Sequence, residues 1–220
     1  MPSSSAGWLT ANHLGSAVLF SLFCSGGNTV AGASTANLRV GGLTPAVTGV
    51  SIGSTQHYND ALAITVAADI QTAFNFYTGL TPTGSIYLGA ALVPTSPNFS
   101  GDIAGLTFRP GVFFAAAAIT NSIAVSFDAQ GDPTAIFVLI IGAAFTPAAA
   151  STVVLVNGAQ TANIFWCTTG AVTVGATGLL KGTVISPAAI GFGAGASLDG
   201  RALAYGAGAS TLSATIITTT

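Results

Sequence analysis

The sequence contains no glutamate and has very little charge of either sign. Of its 220 residues, four are lysine or arginine and six are acidic, so charged residues make up 5% of the chain, against about 25% in an ordinary globular protein. A protein that neutralises a phosphate backbone needs clustered basic side chains, and the four here are scattered. The composition therefore argues against nucleic acid as a partner. It also leaves little charge repulsion between copies, which favours association.

Patterns of catalytic or metal-binding residues are also missing. The two histidines, His13 and His57, have no metal-ligand spacing. The six aspartates do not recur at a fixed spacing, as the paired carboxylates of a polysaccharide-cleaving enzyme would. The glycine-rich stretch 191–195 is not followed by the Lys-Ser/Thr of a phosphate-binding loop. We therefore predict a protein that is not an enzyme and that uses no cofactor and no metal.

Long hydrophobic runs are absent, although the mean hydropathy is +0.73. No stretch of about 18 purely apolar residues exists, so we expect no insertion into a membrane. The N-terminal residues Met1-Pro2-Ser3-Ser4-Ser5 lack the positive charge of a signal peptide, and no such peptide is visible.

The two cysteines, Cys24 and Cys167, lie far apart in apolar, strand-like runs. Buried thiols can pack as small hydrophobic side chains. A single disulfide is the other possibility if the compartment is oxidising. The sequence leaves both states open.

The stretch from Asn163 to Tyr205 repeats with a shift of eighteen residues. Lys181-Gly182-Thr183 falls over Asp199-Gly200-Arg201, and Leu180 falls over Leu198. Each period holds three short β-prone runs separated by glycine or small polar residues. A short fixed period with glycine corners is typical of a solenoid, in which each turn buries its apolar side against the next. The sequence thus predicts a mostly β fold, a right-handed β-helix in the form of a triangular solenoid with about 18 residues per coil.

One segment has the periodicity of a helix instead. Asn59 or Asp60 can cap its N-terminus, and Gly79 follows its end. Its apolar residues fall on one helical face; they are Leu62, Val66, Ile70, Phe74 and Tyr77. We predict one long α-helix over about 59–78, packed along the side of the solenoid.

Several motifs occur in a fixed order along the chain. They are Asn163-Ile164-Phe165-Trp166 after Gly158-Ala159-Gln160, then Lys181-Gly182-Thr183 and Leu198-Asp199-Gly200-Arg201-Ala202-Leu203-Ala204, with Leu106-Thr107-Phe108-Arg109-Pro110-Gly111-Val112 and Ala135-Ile136-Phe137 upstream. Together these motifs resemble the ice-binding-like family, the β-solenoid antifreeze proteins of cold-living microbes. The resemblance covers about Leu14 to Ile217. It implies a single ice-binding-like domain over 14–220, preceded by an N-terminal leader or arm over 1–13. It also implies an extracellular or cell-surface location.

This resemblance implies a protein that adsorbs to ice and acts as an antifreeze or as an inhibitor of ice recrystallisation. Neighbouring strands of a solenoid lie about 4.8 Å apart, so a flat face offers surface water a regular array. Threonine suits such a face because its hydroxyl binds water while its χ1 is stiff. The candidate face residues are Thr169, Thr173, Ser186, Ala188, Ala207 and Ser210.

A second hypothesis is a structural subunit with the same fold that assembles into an extracellular filament or coat. The N-terminal arm carries Trp8 and Leu9, and the β-prone tail carries Ile216 and Ile217. An exposed edge strand in the tail could pair with another copy. The expected partner is therefore either an ice surface or other copies of the chain.

Overall fold

A computed structural model describes residues 13–31, 34–44, 50–52, 55–206, 209–213 and 215–219, and these form a mostly β structure with one α-helix. The elements in chain order are a 3-10 turn (Gly15–Leu19), β1 (Phe20–Cys24), β2 (Asn28–Ala31), β3 (Ser34–Ala36), β4 (Arg39–Gly42), β5 (Val50–Ile52), β6 (Gln56–Tyr58), α1 (Ala61–Thr78), β7 (Ile86–Leu88), β8 (Ala91–Leu92), β9 (Gly101–Asp102), β10 (Leu106–Phe108), β11 (Gly111–Ala115), β12 (Ile119–Asn121), β13 (Ala124–Asp128), β14 (Phe137–Ile141), β15 (Phe145–Pro147), β16 (Thr152–Val156), a second 3-10 turn (Thr161–Asn163), β17 (Ile164–Thr168), β18 (Val172–Val174), β19 (Leu179–Ser186), β20 (Ile190–Phe192), β21 (Ser197–Ala204), β22 (Ser210–Ser213) and β23 (Ile216–Thr218).

The strands stack in three ladders, which are parallel except that β7 is antiparallel to both of its neighbours, β8 and β10. The helix-side ladder runs β11-β14-β17-β19-β21-β1-β4-β6. The threonine ladder runs β9-β12-β15-β18-β20-β22-β2. The third ladder runs β8-β7-β10-β13-β16-β19-β21-β23-β3-β5. A coil is the stretch of chain that gives one strand to each ladder in turn.

The two longest strands, β19 and β21, belong to both the third and the helix-side ladders. Each contains a glycine with positive φ, Gly182 (φ +110°) and Gly200 (φ +145°), and these two are paired in register. A Cβ on Gly200 would lie 1.9 Å from the Gly182 carbonyl oxygen. Only glycine therefore fits this stacked corner, because it alone tolerates both the φ and the close backbone approach.

Coil length differs along the chain. Phe165 pairs with Thr183 and Val172 with Ile190, in each case eighteen residues later. Upstream, Ile119 pairs with Phe145, twenty-six residues later. The shift of eighteen thus describes the stretch in which the repeat was found, while the preceding coils have longer corners.

The first coil stacks directly on the last one. β1 pairs with β21, β2 with β22, and β3 with β23. The C-terminal strand β23 therefore lies between β21 and β3, with Ile216 beside both Ser197 and Thr35. The expectation of an exposed edge strand in the tail is wrong, since both edges of β23 are paired within the chain. The prediction of Ile217 as an assembly residue is also wrong, because its side chain is buried, whereas that of Ile216 is exposed.

Aromatic rings fill the interior of the coils. Trp166 is fully buried, with its ring stacked on Phe145 at 4.7 Å and edge-on to Phe127 at 5.5 Å. Its indole Nε1 donates a hydrogen bond to the Lys181 carbonyl oxygen at 2.8 Å. The buried polar group is thus satisfied, as the interior of a protein requires.

Helix α1 covers the outer side of the helix-side ladder, and the helix predicted over about 59–78 is confirmed. Asp60 caps it by accepting a hydrogen bond from the Ala63 backbone N–H at 2.7 Å. Tyr77 at its other end is buried and stacks on Phe165 of β17 at 4.5 Å. Asp69 ties the helix to the first 3-10 turn through the N–H and hydroxyl of Ser16, at 2.7 and 2.5 Å.

The two cysteines are buried thiols on opposite sides of the helix-side ladder. Cys24 packs in the core inside the coils, whereas Cys167 packs in the layer between this ladder and α1. No disulfide joins them. Burial raises the pKa of the Cys167 thiol, which suppresses the reactive thiolate.

We expect neither thiol to react with a disulfide reagent in the native protein, because both are fully buried. Titration with such a reagent should label two thiols per chain in denaturant and almost none without it. Rapid labelling of either cysteine under native conditions would contradict this packing.

Candidate functional site

An exposed row of threonines runs along the threonine ladder. Thr120 pairs with Thr146, Phe145 pairs with Val172 and so sets Thr146 beside Thr173, and Thr29 pairs with Thr211. Thr173 and Thr211 are separated by one strand, on which Gly191 pairs with both. We call this row the threonine rank; in spatial order it is Asp102, Thr120, Thr146, Thr173, Gly191, Thr211 and Thr29.

Wherever the structure describes their side chains, the residues on either side of a rank threonine or of Gly191 point inward. Most are apolar and buried, so they fix the strands from below; they are Ile119, Phe145, Val172, Val174, Ile190, Phe192 and Leu212. Successive side chains of a strand point to opposite faces, so the rank residues point outward. The threonine rank is therefore the outer surface of a packed interior.

Small residues flank the rank on both sides. Two residues before it stand alanines whose carbonyls continue the ladder: Ala144, Ala171 and Ala189 accept hydrogen bonds from backbone N–H groups of the preceding coil. Two residues after it stand Ser122, Ala148, Gly175, Gly193 and Ser213. Because none of these side chains is longer than that of threonine, the threonines form the crest of an even surface.

Charge is almost absent from this surface. The strands of the threonine ladder contain one charged residue, Asp102, on the terminal strand β9. Its Oδ1 accepts hydrogen bonds from the backbone N–H groups of Ala104 and Ser122, at 3.0 Å each. Hydrogen bonding by Ser122 holds the pKa of Asp102 below its ordinary value. The remaining rank is neutral.

The threonine hydroxyls differ in how they are used. Thr120 Oγ1 donates a hydrogen bond to the Thr146 carbonyl oxygen at 2.6 Å. Within the described parts of the chain, Thr146, Thr173 and Thr211 make no side-chain hydrogen bond to protein. A hydroxyl has one donor and two acceptor positions, so these three groups are available to water, and the branched Cβ holds each in few rotamers.

The other two outer surfaces of the coils are different. The helix-side ladder is covered by α1. The third ladder exposes bulky apolar side chains, among them Val154 and Leu179, and carries Lys181 and Asp199. Among the three ladders described, the threonine ladder is thus the only one with an uncovered and nearly uncharged outer surface.

Thr173 is the one predicted face residue that the structure places in the rank, where it is exposed. Thr169 is also exposed, but it lies at the corner between β17 and β18. Ala188 is half-buried at the corner between β19 and β20. These two residues border the face rather than form its centre.

The expectation for Ser186 and Ser210 is wrong, because both side chains are fully buried and cannot contact a surface. Ser186 Oγ donates to the Gly170 carbonyl oxygen at 2.9 Å and accepts from the Ala188 N–H at 2.9 Å. It therefore stabilises a corner. Ala207 and the arm residues Trp8 and Leu9 lie outside the described residues.

Four rank threonines escaped the sequence analysis: Thr29, Thr120, Thr146 and Thr211. The signal that could have found Thr120, Thr146 and Thr211 is a threonine two residues after an alanine and two before a small residue, as in 118–122, 144–148 and 209–213 and also in 171–175 around Thr173. These segments do not recur every eighteen residues, since the upstream coils are longer. A search with a fixed shift therefore misses them.

In the part of the chain that the structure covers, no group of three or more His, Cys, Asp or Glu residues is arranged to hold a metal ion. No helix there combines the length and the apolar character that crossing a membrane requires.

Comparison with known families gives a match over most of the chain. The sequence profile of the family described as ice-binding-like matches residues 22–218. An ice-binding protein of Lentinula edodes is 35% identical over 122 residues, which are 55% of this chain and 38% of that protein. An ice-binding protein of Nostoc sp. (strain HG1) is 30% identical over 146 residues, 66% of this chain and 48% of that protein. The chain thus spans less than half the length of these two curated relatives.

Solved structures are similar over nearly the whole chain. The crystal structure of an ice-binding protein from an Antarctic biological consortium superposes with a TM-score of 0.83 at 33% identity, covering 94% of this chain and 90% of that one. The ice-binding protein of the Antarctic ascomycete Antarctomyces psychrotrophicus also gives a TM-score of 0.83, at 27% identity, covering 93% and 96% of the two chains.

Proposed function

Because the chain belongs to the ice-binding-like family, we propose that it adsorbs to ice through the threonine rank and the small residues that flank it. The observation that carries the proposal is the alignment of five threonines on seven consecutive strands of one ladder. The similar ice-binding proteins support ice as the ligand, and the nearly uncharged, uncovered threonine rank supports this ladder as the contact face.

The rank offers water both hydrogen-bonding and apolar contacts at a regular interval. Parallel strands repeat about every 4.8 Å, so hydroxyls and methyls alternate with the same period along the face. Water held by such fixed groups loses little additional entropy when it joins a lattice, because its position is already restricted. The alanine and glycine flanks let the crystal approach the whole row at once.

In this proposal, the lack of charge lowers the free-energy cost of bringing the face into contact with ice. Ice is a neutral lattice, and a charged side chain such as that of Lys binds its own water strongly. Removing that water without a partner costs free energy. The third ladder, with Lys181, would incur this cost, whereas the threonine rank has its one carboxylate at the far end and already hydrogen-bonded within the protein.

Adsorption explains an antifreeze effect without any chemical reaction, so the proposed role is not that of an enzyme. Crystal growth between adsorbed molecules must proceed as curved fronts, and curvature lowers the temperature at which ice grows. We infer that the coils form a right-handed triangular β-helix, supported by one strand per coil in each of three ladders. An extracellular or cell-surface location follows for a protein that must meet external ice.

The test is thermal hysteresis together with ice recrystallisation inhibition, measured on the purified chain at micromolar concentration. We expect activity in both assays, and ice crystals should take up fluorescently labelled protein on defined planes. Inactivity of the folded protein in both assays would reject ice adsorption.

Gly191 interrupts the row of threonines in the rank. Placing a threonine there tests whether a continuous row binds ice more tightly. A Cβ on Gly191 would lie 2.9 Å from Thr211 Oγ1, the end of a side chain that can rotate away. We expect Gly191→Thr to raise affinity for ice roughly twofold, about 0.4 kcal/mol, since it joins the two blocks of threonines. Thermal hysteresis as a function of concentration measures the change.

The matched control is Gly191→Val, which has the shape of threonine with a methyl group in place of the hydroxyl. An equal gain in both variants would show that the hydroxyl is irrelevant there. A fall in activity of Gly191→Thr at an unchanged unfolding midpoint would contradict the role given to the rank.

A further inference from the structure

After α1 the chain forms one end of the stacked coils, and this segment has an unusual composition. Between Asp69 and Asp102 there is no charged residue. The hairpin β7–β8 in this stretch exposes Leu88 and Leu92, which are 60% and 54% accessible. The Arg109 guanidinium lies over the Tyr87 ring of this hairpin, 4.0 Å from the ring centre, so charge is present beside the hairpin. Exposed leucines nevertheless favour association between copies.

The same stretch holds the one N-x-S/T sequence in the entire chain, Asn98-Phe99-Ser100. Such a sequence is the acceptor for N-linked glycans when its middle residue is not proline. From its position and exposure, we propose that Asn98 is an N-glycosylation site whose glycan covers exposed apolar surface at this end of the coils. This inference does not depend on ice adsorption.

The geometry at Asn98 suits modification. Its backbone forms an isolated parallel bridge with Phe114 of β11, directly after the turn over 94–97. Its neighbour Phe99 is buried and packs edge-on against Phe108 at 5.5 Å. Because side chains alternate along an extended segment, Asn98 points outward, and it is exposed.

The surroundings leave room for a sugar. The Asn98 backbone is held by the Thr95 carbonyl and hydroxyl, at 2.8 and 3.2 Å, while its side-chain amide makes no hydrogen bond to the described residues. Ser100 is exposed as well. At Gly101 no heavy atom lies within 4 Å of the place that a Cβ would take. An enzyme can therefore reach both the acceptor amide and the hydroxyl.

The bridge to Phe114 also fixes the direction of the glycan. Asn98 extends the helix-side ladder by one position, whereas the threonine ladder ends at β9, after the chain has turned a corner. A glycan on Asn98 thus projects beside Phe114, which is 37% exposed, and away from the threonine rank. It would shield apolar surface without covering the face proposed to contact ice.

The reaction needs a lipid-pyrophosphate-linked oligosaccharide and its transferase, which the secretory pathway of a eukaryotic host supplies. The Asn98 Nδ2 attacks C1 of the first sugar, and a C–N bond forms there. The bond between C1 and the pyrophosphate oxygen breaks, and the lipid pyrophosphate leaves. The amide loses one proton to a base of the transferase, so atoms and charges balance.

The experiment is secretion of the full chain, behind a host signal peptide, from yeast. We expect the intact mass to show one glycan per chain that an endoglycosidase removes. Asn98→Gln and Ser100→Ala should lose it, while the matched variant Ser100→Thr keeps it. A secreted wild-type chain without a glycan, or a glycan that persists in Asn98→Gln, would overturn the assignment.

The shielding role has its own readout, which needs no variant. Light scattering against concentration should show more association after enzymatic removal of the glycan than before. Equal association would reject shielding even if the glycan is present. Thermal hysteresis per unassociated chain should be the same in both forms, and absence of thermal hysteresis would leave the mass result unaffected, so the two proposals can fail separately.

Discussion

Thr173→Tyr is expected to lower affinity for ice by at least roughly tenfold, about 1.4 kcal/mol, and to remove most of the thermal hysteresis at a given concentration. Thr173 lies in the interior of the threonine rank, with Thr146 on one side and Gly191 on the other. A tyrosine ring there would stand above the crest set by the threonines and the flanking alanines. It would keep the neighbouring coils away from a flat crystal surface, so the loss extends beyond one residue.

The matched control is Thr35→Tyr, the same substitution at an exposed threonine of the third ladder. It should leave thermal hysteresis unchanged, because that ladder is not proposed to contact ice. Both variants should unfold at the wild-type urea midpoint, since each position is exposed. If Thr35→Tyr removes the activity and Thr173→Tyr does not, the ice-contact face has been assigned to the wrong ladder.

The helix and the glycine corners could be predicted from the sequence because their signals are local. The apolar spacing from Leu62 to Tyr77 and the capping Asp60 belong to one continuous segment. Lys181-Gly182 and Asp199-Gly200 lie one coil apart in the region of constant coil length. In both cases the physical requirement, a buried helical face or a close approach of two backbones, leaves residues of a given type at a fixed short spacing in the sequence.

The threonine rank could not be predicted in this way because it is assembled across coils of unequal length. Whether a serine or threonine points outward depends on its register relative to the corner, and a shift of one residue reverses it. Ser210 and Thr211 are adjacent, yet the first is buried and the second is exposed. The sequence shows that both are small and polar but does not show where the corner lies.

The prediction of an exposed edge strand in the tail is wrong for a related reason. Residues 216–218 have the composition of an edge strand, and composition cannot show that the N-terminal strand β3 covers the free edge. Contacts between the first and last coils join residues about as distant in sequence as the chain allows. Such long-range closure leaves no local pattern, and it removes the exposed tail strand, one of the two features behind the filament hypothesis; the other, the N-terminal arm, lies outside the described residues.

The interior below the rank leads to the second large effect, on stability. Trp166→Ala is expected to lower the free energy of unfolding by about 3–5 kcal/mol, the usual cost of removing a buried aromatic side chain. The ring is fully buried between Phe145 and Phe127. Its removal leaves a cavity and also an unpaired carbonyl oxygen on Lys181. Urea unfolding followed by circular dichroism measures the loss.

Trp166→Phe helps to distinguish the two contributions, because it keeps an aromatic ring against Phe145 while it removes the Nε1 donor and the smaller part of the packing volume. It should cost about 1–3 kcal/mol, the penalty for leaving a buried acceptor unpaired. Equal costs for the alanine and phenylalanine variants would show that packing under the rank contributes little. Because Phe145 precedes Thr146 in the rank, a cavity beside it loosens the strand that positions that threonine. Trp166→Ala should therefore also reduce ice adsorption at temperatures where it remains folded, whereas Trp166→Phe should preserve it.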